Sequence, residues 1–229
     1  MKFNGFQKLT LLDFPGHVAC ILFTAGCNFR CPFCHNAGLV THIDNENAFS
    51  EEEVLEYLKK RAGMLEGIVI TGGEPLMQPE LEDFIIKARE LGYKIKLDTN
   101  GSYPEKLCSL IEKGLLDYVA MDIKNSLSKY PKTAGCENLD IEKIEKSIDL
   151  LMEGRVDYEF RTTVSKELHE EEDIEEIARR IKGAARYFLQ NFSDSGDIIK
   201  GSFTPVNSQK MEKMKNLATP YIAEVVIRN

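Results

Sequence analysis

Along the chain, short runs of β-branched and aromatic residues alternate with longer runs whose apolar positions recur every three to four residues. The short runs fit strands buried on both faces, and the long ones fit helices packed by one side. Strands are predicted at 18–24, 67–71, 93–98, 118–122, 158–164 and 186–190, and helices between them at 50–61, 79–91, 104–113, 139–152 and 170–181. Ser50 followed by Glu51, Glu52 and Glu53 reads as an N-cap with an acidic first turn, and Gly63, Gly92, Gly114 and Gly154 fall where helices end. Six βα units in succession predict a parallel sheet. Residues 1–17 read as an arm or short hairpin ahead of the first unit. Residues 18–192 hold the six units, and 193–229 hold a last helix near 207–217 and an apolar strand-like run at 221–228. No linker or low-complexity tract interrupts the pattern, so 1–229 reads as one domain. A complete eight-unit barrel takes about 250 residues. Six units in 229 residues therefore predict an α/β fold of the incomplete, laterally open (β/α)6 barrel type.

Composition narrows the class without changing it. With 43% apolar and 29% charged residues the chain is of ordinary globular make-up, and 29 Lys+Arg against 37 Asp+Glu leave a net charge of −8. That balance argues against a general binder of nucleic-acid backbones. No apolar run approaches the roughly 20 residues of a membrane span, and the first residues lack a secretory signal's apolar core. The expectation is a cytoplasmic protein that binds neither membrane nor nucleic acid.

The six cysteines are unevenly placed. Cys20, Cys108 and Cys136 stand alone, whereas Cys27, Cys31 and Cys34 share eight residues in the spacing C-x3-C-x2-C. Soft thiolates at that spacing suit an iron-sulfur cluster or zinc. Three ligands on a four-iron cubane leave one iron open to an exogenous molecule. For structural zinc, His35 would have to complete the set, although it adjoins Cys34 directly. Cys20 and Cys108 read as core thiols, and Cys136 lies in a loop with no assigned role.

Polar and glycine residues also collect just after the predicted strands: Cys27, then Gly72-Gly73-Glu74-Pro75, Asp98-Thr99-Asn100-Gly101, Asp122-Ile123-Lys124, Arg161 and Gln190. In parallel α/β folds this edge carries the active site. Paired glycines permit close backbone approach to a ligand, and strand-end carbonyls with Glu74 can accept from an ammonium group. Each feature also has a plainer reading: a strand-to-helix turn at Gly72-Gly73, a helix cap at Asp98, a surface pair at Asp122 and Lys124, and a strand-end ion pair at Arg161.

The cysteine spacing after a first strand, with Phe33 before the third cysteine and Gly-Gly-Glu-Pro after the second, resembles the radical S-adenosylmethionine enzymes. The resemblance implies that Cys27, Cys31 and Cys34 hold one 4Fe-4S cluster, which chelates the amino and carboxylate groups of S-adenosylmethionine. Phe33, Gly72, Gly73 and Glu74 would lie along the cofactor, the Gly-Gly-Glu-Pro turn taking its ammonium. Asp13-Phe14-Pro15-Gly16, Cys34-His35-Asn36, Asp98-Thr99-Asn100-Gly101, Met121-Asp122-Ile123-Lys124 and Arg161 further resemble the glycyl-radical-enzyme activases. By that resemblance Lys124 pairs with the cofactor carboxylate, while Asp98, Thr99, Met121 and Asp122 surround a monovalent cation. No cysteine falls within 36–65, where activases with extra clusters carry their insert, so one cluster is expected.

The activity implied is reductive cleavage of S-adenosylmethionine, fed by reduced flavodoxin or ferredoxin, and hydrogen abstraction from a glycine of a partner enzyme. The radical chemistry belongs to cluster and cofactor, so no side chain is assigned as catalytic. The short architecture is most similar to activating proteins of anaerobic ribonucleoside-triphosphate reductases, with a pyruvate formate-lyase type activase as the alternative. Radical chemistry on a small molecule or peptide is a further reading, and a non-enzymatic zinc or iron-sulfur protein a remote one. Asp13, His35, Cys136, Arg161 and Gln190 carry no assigned role.

Overall fold

The computed structural model describes residues 1–228 apart from Ser195 and Asp197. Two compact units are present, one of Met1–Asn28, Gly38–Thr99 and Glu105–Val119, the other of Phe29–Ala37, Asn100–Pro104 and the chain from Ala120 onward.

In chain order the first unit carries β1 (Lys2–Phe3), β2 (Gly5–Thr10), β3 (Ala19–Thr24), most of α1 (Ala37–Thr41), β4 (Phe49–Ser50), α2 (Glu51–Arg61), β5 (Gly67–Gly72), α3 (Leu81–Glu90), β6 (Lys94–Thr99), most of α4 (Pro104–Glu112) and the start of β7 (Tyr118–Asp122). β3 runs parallel to β5 and β5 to β6, while β2 lies antiparallel to β3 and β1 pairs antiparallel with β4. β2 and the first predicted strand, β3, thus form a hairpin. Its register slips between Gln7 and Thr10.

Local sequence explains the elements. Ser50 and Glu53 form a reciprocal capping box, acidic residues fill the first turn of α2, and Lys59, Lys60 and Arg61 fill its last, each complementing the helix dipole. Val54 and Leu58 supply its buried face. The chain leaves α3 through Gly92 at φ 88°, a backbone region that glycine enters without a Cβ penalty. Phe14, from the Asp-Phe-Pro-Gly turn, is buried among Ala19, Ile21, Val69 and Tyr118. A Cβ on Gly67 would lie 2.7 Å from its ring.

The second unit continues with α5 (Tyr130–Ala134), α6 (Ile141–Met152), β8 (Asp157–Val164), α7 (Glu171–Arg180), β9 (Arg186–Asn191), α8 (Ser208–Ala218) and β10 (Glu224–Arg228). β8, β9 and β10 are parallel neighbours, so the C-terminal run extends the sheet. In the first unit β2 is the outer neighbour of β3, and in the second β10 is the outer neighbour of β9. This is the expected α/β fold, an incomplete, laterally open barrel, with β3, β5, β6, β7, β8 and β9 as its six anticipated strands. Among the described residues no helix is long and apolar enough to cross a membrane.

Candidate active site

In the first unit, the exits of β3, β5 and β6 are tied together. Gly73 N donates to Thr24 O at 2.8 Å, Glu74 N donates to Gly26 O at 2.8 Å, and the Thr24 hydroxyl donates to Thr71 O at 3.1 Å. Gly72 has φ 116°, and a Cβ there would stand 2.3 Å from Thr24 O; one on Gly73 would stand 1.9 Å from Gly26 O. The glycine pair therefore answers first to the chain's own backbone at the start of the cysteine loop. Glu74 is fully buried, and its Oε1 accepts from Leu76 N at 3.1 Å and from the Thr99 hydroxyl at 2.8 Å. It braces the turn against the end of β6. Asp98 is paired at 2.5 Å with Lys96, whose side chain is only 3% exposed and whose ammonium lies 5.9 Å from the centre of the Tyr118 ring.

In the second unit, Cys31 and Phe33 are buried and Cys34 is half-buried. Arg30 N donates to Ala134 O at 2.9 Å and Cys34 N to Cys31 O at 3.0 Å, which seats the loop on α5. The backbone approach is close enough that a Cβ on Gly135 would lie 2.0 Å from Arg30 O. Phe33 meets Phe203 edge-on at 6.0 Å, and the exposed His35 stacks on Phe192 at 5.2 Å.

The end of β7 is charged and tightly held. Asp122 accepts from Arg161 Nε at 2.9 Å on one oxygen and from Lys124 Nζ at 3.0 Å on the other. Burial pushes its carboxyl up, but the two cations outweigh burial and hold it well below the usual carboxylate range. For Lys124, burial opposes the charge, while Asp122 and the Cys31 sulfur favour it more strongly, so the ammonium persists. Ile123 N donates to Arg161 O, Ile123 O accepts from the Thr162 hydroxyl, and Lys124 O is 2.9 Å from His169 Nε2. Tyr187 in turn donates to Thr162 at 2.7 Å. Lys124 thus projects from a backbone fixed on both sides.

The remaining expectations resolve individually. Thr99 and Met121 are buried, Met121 against Gly101. Asp13 accepts from the Thr10 hydroxyl within its turn. Gln190 lies inside β9, opposite Thr163 and Arg228. Cys20 is a core thiol, with burial pushing it up to about 12, whereas Cys108 is only half-buried, a correction to its reading as core. Lys96, Tyr130 and His169 were not singled out by motif. The parity of Lys96 with Asp98 on one strand was the available signal for the first; nothing local marks the other two.

Of the three motif cysteines, Cys31 is buried and Cys27 and Cys34 are half-buried. Among the described residues, no group of three or more His, Cys, Asp or Glu is arranged to hold a single metal ion. The donor set nevertheless fits an iron-sulfur cluster: three soft ligands within eight residues, one of them buried with a persistent ammonium nearby to offset thiolate charge.

The radical SAM superfamily model matches residues 21–181, and the chain belongs to that superfamily. It is a radical SAM enzyme, and membership implies a 4Fe-4S cluster and S-adenosylmethionine. A Methanocaldococcus jannaschii protein with the provisional name glycyl-radical enzyme activating enzyme is 34% identical, over 98% of this chain and 95% of its own. A GTP 3′,8-cyclase from Helicobacter pylori is 30% identical over 78% of this chain, which spans 57% of the cyclase. In fold, the chain resembles a domain of pyruvate-formate lyase-activating enzyme from Bacteroides vulgatus (TM-score 0.59, 19% identity, 72% of this chain and 99% of that one). It also resembles Streptococcus suis SuiB bound to S-adenosylmethionine (TM-score 0.70, 16% identity, 90% of this chain and 51% of that one).

Proposed function

We propose that this protein is a glycyl-radical-enzyme activating enzyme whose partner is an anaerobic ribonucleoside-triphosphate reductase, with reduced flavodoxin or ferredoxin as electron donor. The observation that carries the activase reading is similarity along nearly the whole chain to a protein of that provisional name and comparable length. The choice of reductase rests on the resemblance of the short, single-cluster sequence, and a pyruvate formate-lyase type partner is the alternative. Cys27, Cys31 and Cys34 would hold the cluster. When bound, such a cluster would supply the electron for reductive cleavage of S-adenosylmethionine, the chemistry needed to abstract hydrogen from a glycine.

The chain's own residues bind and orient. Lys124 and Arg161 with Asp122 sum to one net positive charge, suited to a cofactor carboxylate. The Gly72-Gly73-Glu74 turn offers carbonyl acceptors for an ammonium, and its bracing by Thr99 fixes their direction. Phe33 would wall the cluster loop against water, with Phe203 behind it.

Anaerobic reconstitution tests this directly. The wild type is expected to bind about four irons and four sulfides, to change its electron paramagnetic resonance signal with S-adenosylmethionine, and to install a glycyl doublet on the reductase from the same organism. Cys31→Ala is expected to lose cluster and cofactor cleavage together. A cofactor-responsive cluster without the doublet would discard the reductase as partner, and one zinc without sulfide would discard the chemistry.

A further inference from the structure

The resemblance to activases implies a monovalent cation among Asp98, Thr99, Met121 and Asp122, and the charges on these residues do not fit one. In the first unit, Lys96 places its ammonium 2.5 Å from Asp98 Oδ1. The two residues sit at i and i+2 on β6, so the pleat itself puts them on one face. Lys96 is 3% exposed and Asp98 15%, so the pair is shielded from water and neither charge is stable there alone. In the second unit, both oxygens of Asp122 already accept from cations, Arg161 on one and Lys124 on the other. Two positive groups on one carboxylate leave that cluster at +1, which repels a further cation. Met121 is fully buried and packs its thioether end against Gly101. A carboxylate already paired with an ammonium or guanidinium attracts a further cation far less than a bare one. Here each carboxylate already has a side-chain counter-ion of its own unit in salt-bridge contact.

We propose that Lys96 supplies, as a fixed ammonium at Asp98, the positive charge that an alkali cation would otherwise bring, so that S-adenosylmethionine binds this protein independently of sodium and potassium. Lys96 is then a positioning residue: it holds the carboxylate at the end of β6 in place without touching the cofactor. The inference deepens the proposed function and rests on its assignment of these strand ends to S-adenosylmethionine.

The test measures S-adenosylmethionine dissociation constants on the anaerobically reconstituted enzyme at equal ionic strength in sodium, potassium or N-methylglucamine chloride. Wild-type values are expected to agree within about twofold, because no ion is exchanged. Lys96→Met is expected to bind about tenfold more weakly in N-methylglucamine and to recover in sodium or potassium, whereas Lys96→Arg is expected to stay independent of salt. A parallel readout uses thallous ion in place of potassium on the protein without cofactor. Its thallium resonance is expected to stay sharp with wild type. Wild-type binding that collapses without alkali ions, or a thallium resonance broadened by wild type and not by Asp98→Asn, overturns the inference while leaving the function standing. A Lys96→Met protein that binds equally in all three salts also overturns it. Absence of binding in every salt overturns the proposed function and this inference with it. Should Lys96→Met fail to fold, the wild-type comparison and the thallium measurement still decide.

Discussion

Lys124 shows how one side chain is made reliable by its surroundings. Its carbonyl faces His169, its neighbour Ile123 is bonded through both backbone groups, and its ammonium is balanced by Asp122. Lys124→Ala is expected to leave the iron content unchanged and to weaken S-adenosylmethionine binding by about tenfold, equivalent to about 1.4 kcal/mol, measured by equilibrium dialysis. Asp122→Asn is expected to be the more destabilising change, by about 3 kcal/mol in denaturant melts, because it removes the carboxylate that balances two half-buried cations whereas Lys124→Ala leaves Asp122 paired with Arg161. A variant order with Lys124→Ala the less stable would remove the charge argument. At this scale the cysteines, Gly-Gly-Glu-Pro, Asp122 and Lys124 were legible because their spacing is their signal. Lys96 was hidden because a lysine in a strand reads as solvated until its partner and burial are known. His169 was hidden because its partners, Lys124 O and Ser165 N, are backbone groups that leave no mark on sequence.

Among the elements, strands whose apolar runs are continuous were legible nearly to their ends: β7 begins and ends as read, and β5 runs one residue further. Periodicity needs several turns to register, so the five-residue helices α1 and α5 and the two-residue β4 escaped it. The omission of α5 matters most, since Ala134 and Gly135 seat the cysteine loop. The strand-to-helix turn after β5 was legible as glycine-rich, but the partner of those glycines was not. Contact with Gly26 and Thr24 joins residues almost fifty positions apart. Gly73→Ala, which would force a Cβ to within 1.9 Å of Gly26 O, is expected to displace the start of the cysteine loop. Reconstitution should then recover well under half the wild-type iron. Full cluster content in that variant would mean that the turn and the loop move independently.

For the whole molecule, acid is the condition most directly tied to the described groups. Burial holds His169 below its ordinary value of 6.5, and its neutral ring accepts from Ser165 N while its other nitrogen meets Lys124 O. Between the lowered folded value and 6.5 the unfolded chain binds more protons, so stability rises with pH across that window. The contribution is fully present above about 6.5 and is lost as pH falls through the folded value. Urea midpoints are expected to drop from pH 7.5 to 5.5 in wild type and to change less in His169→Gln; equal slopes would assign acid sensitivity elsewhere. The outer strand β2 of the first unit has a consequence for how the protein keeps company with itself. An unpaired edge strand is a template on which another chain can dock its own backbone. At β2 the register slip between Gln7 and Thr10 breaks the even spacing of donors and acceptors along that edge, and Lys8 adds a charge that a dry strand pairing would have to bury. The irregularity along β2 thus works against edge-to-edge pairing with another copy of the chain.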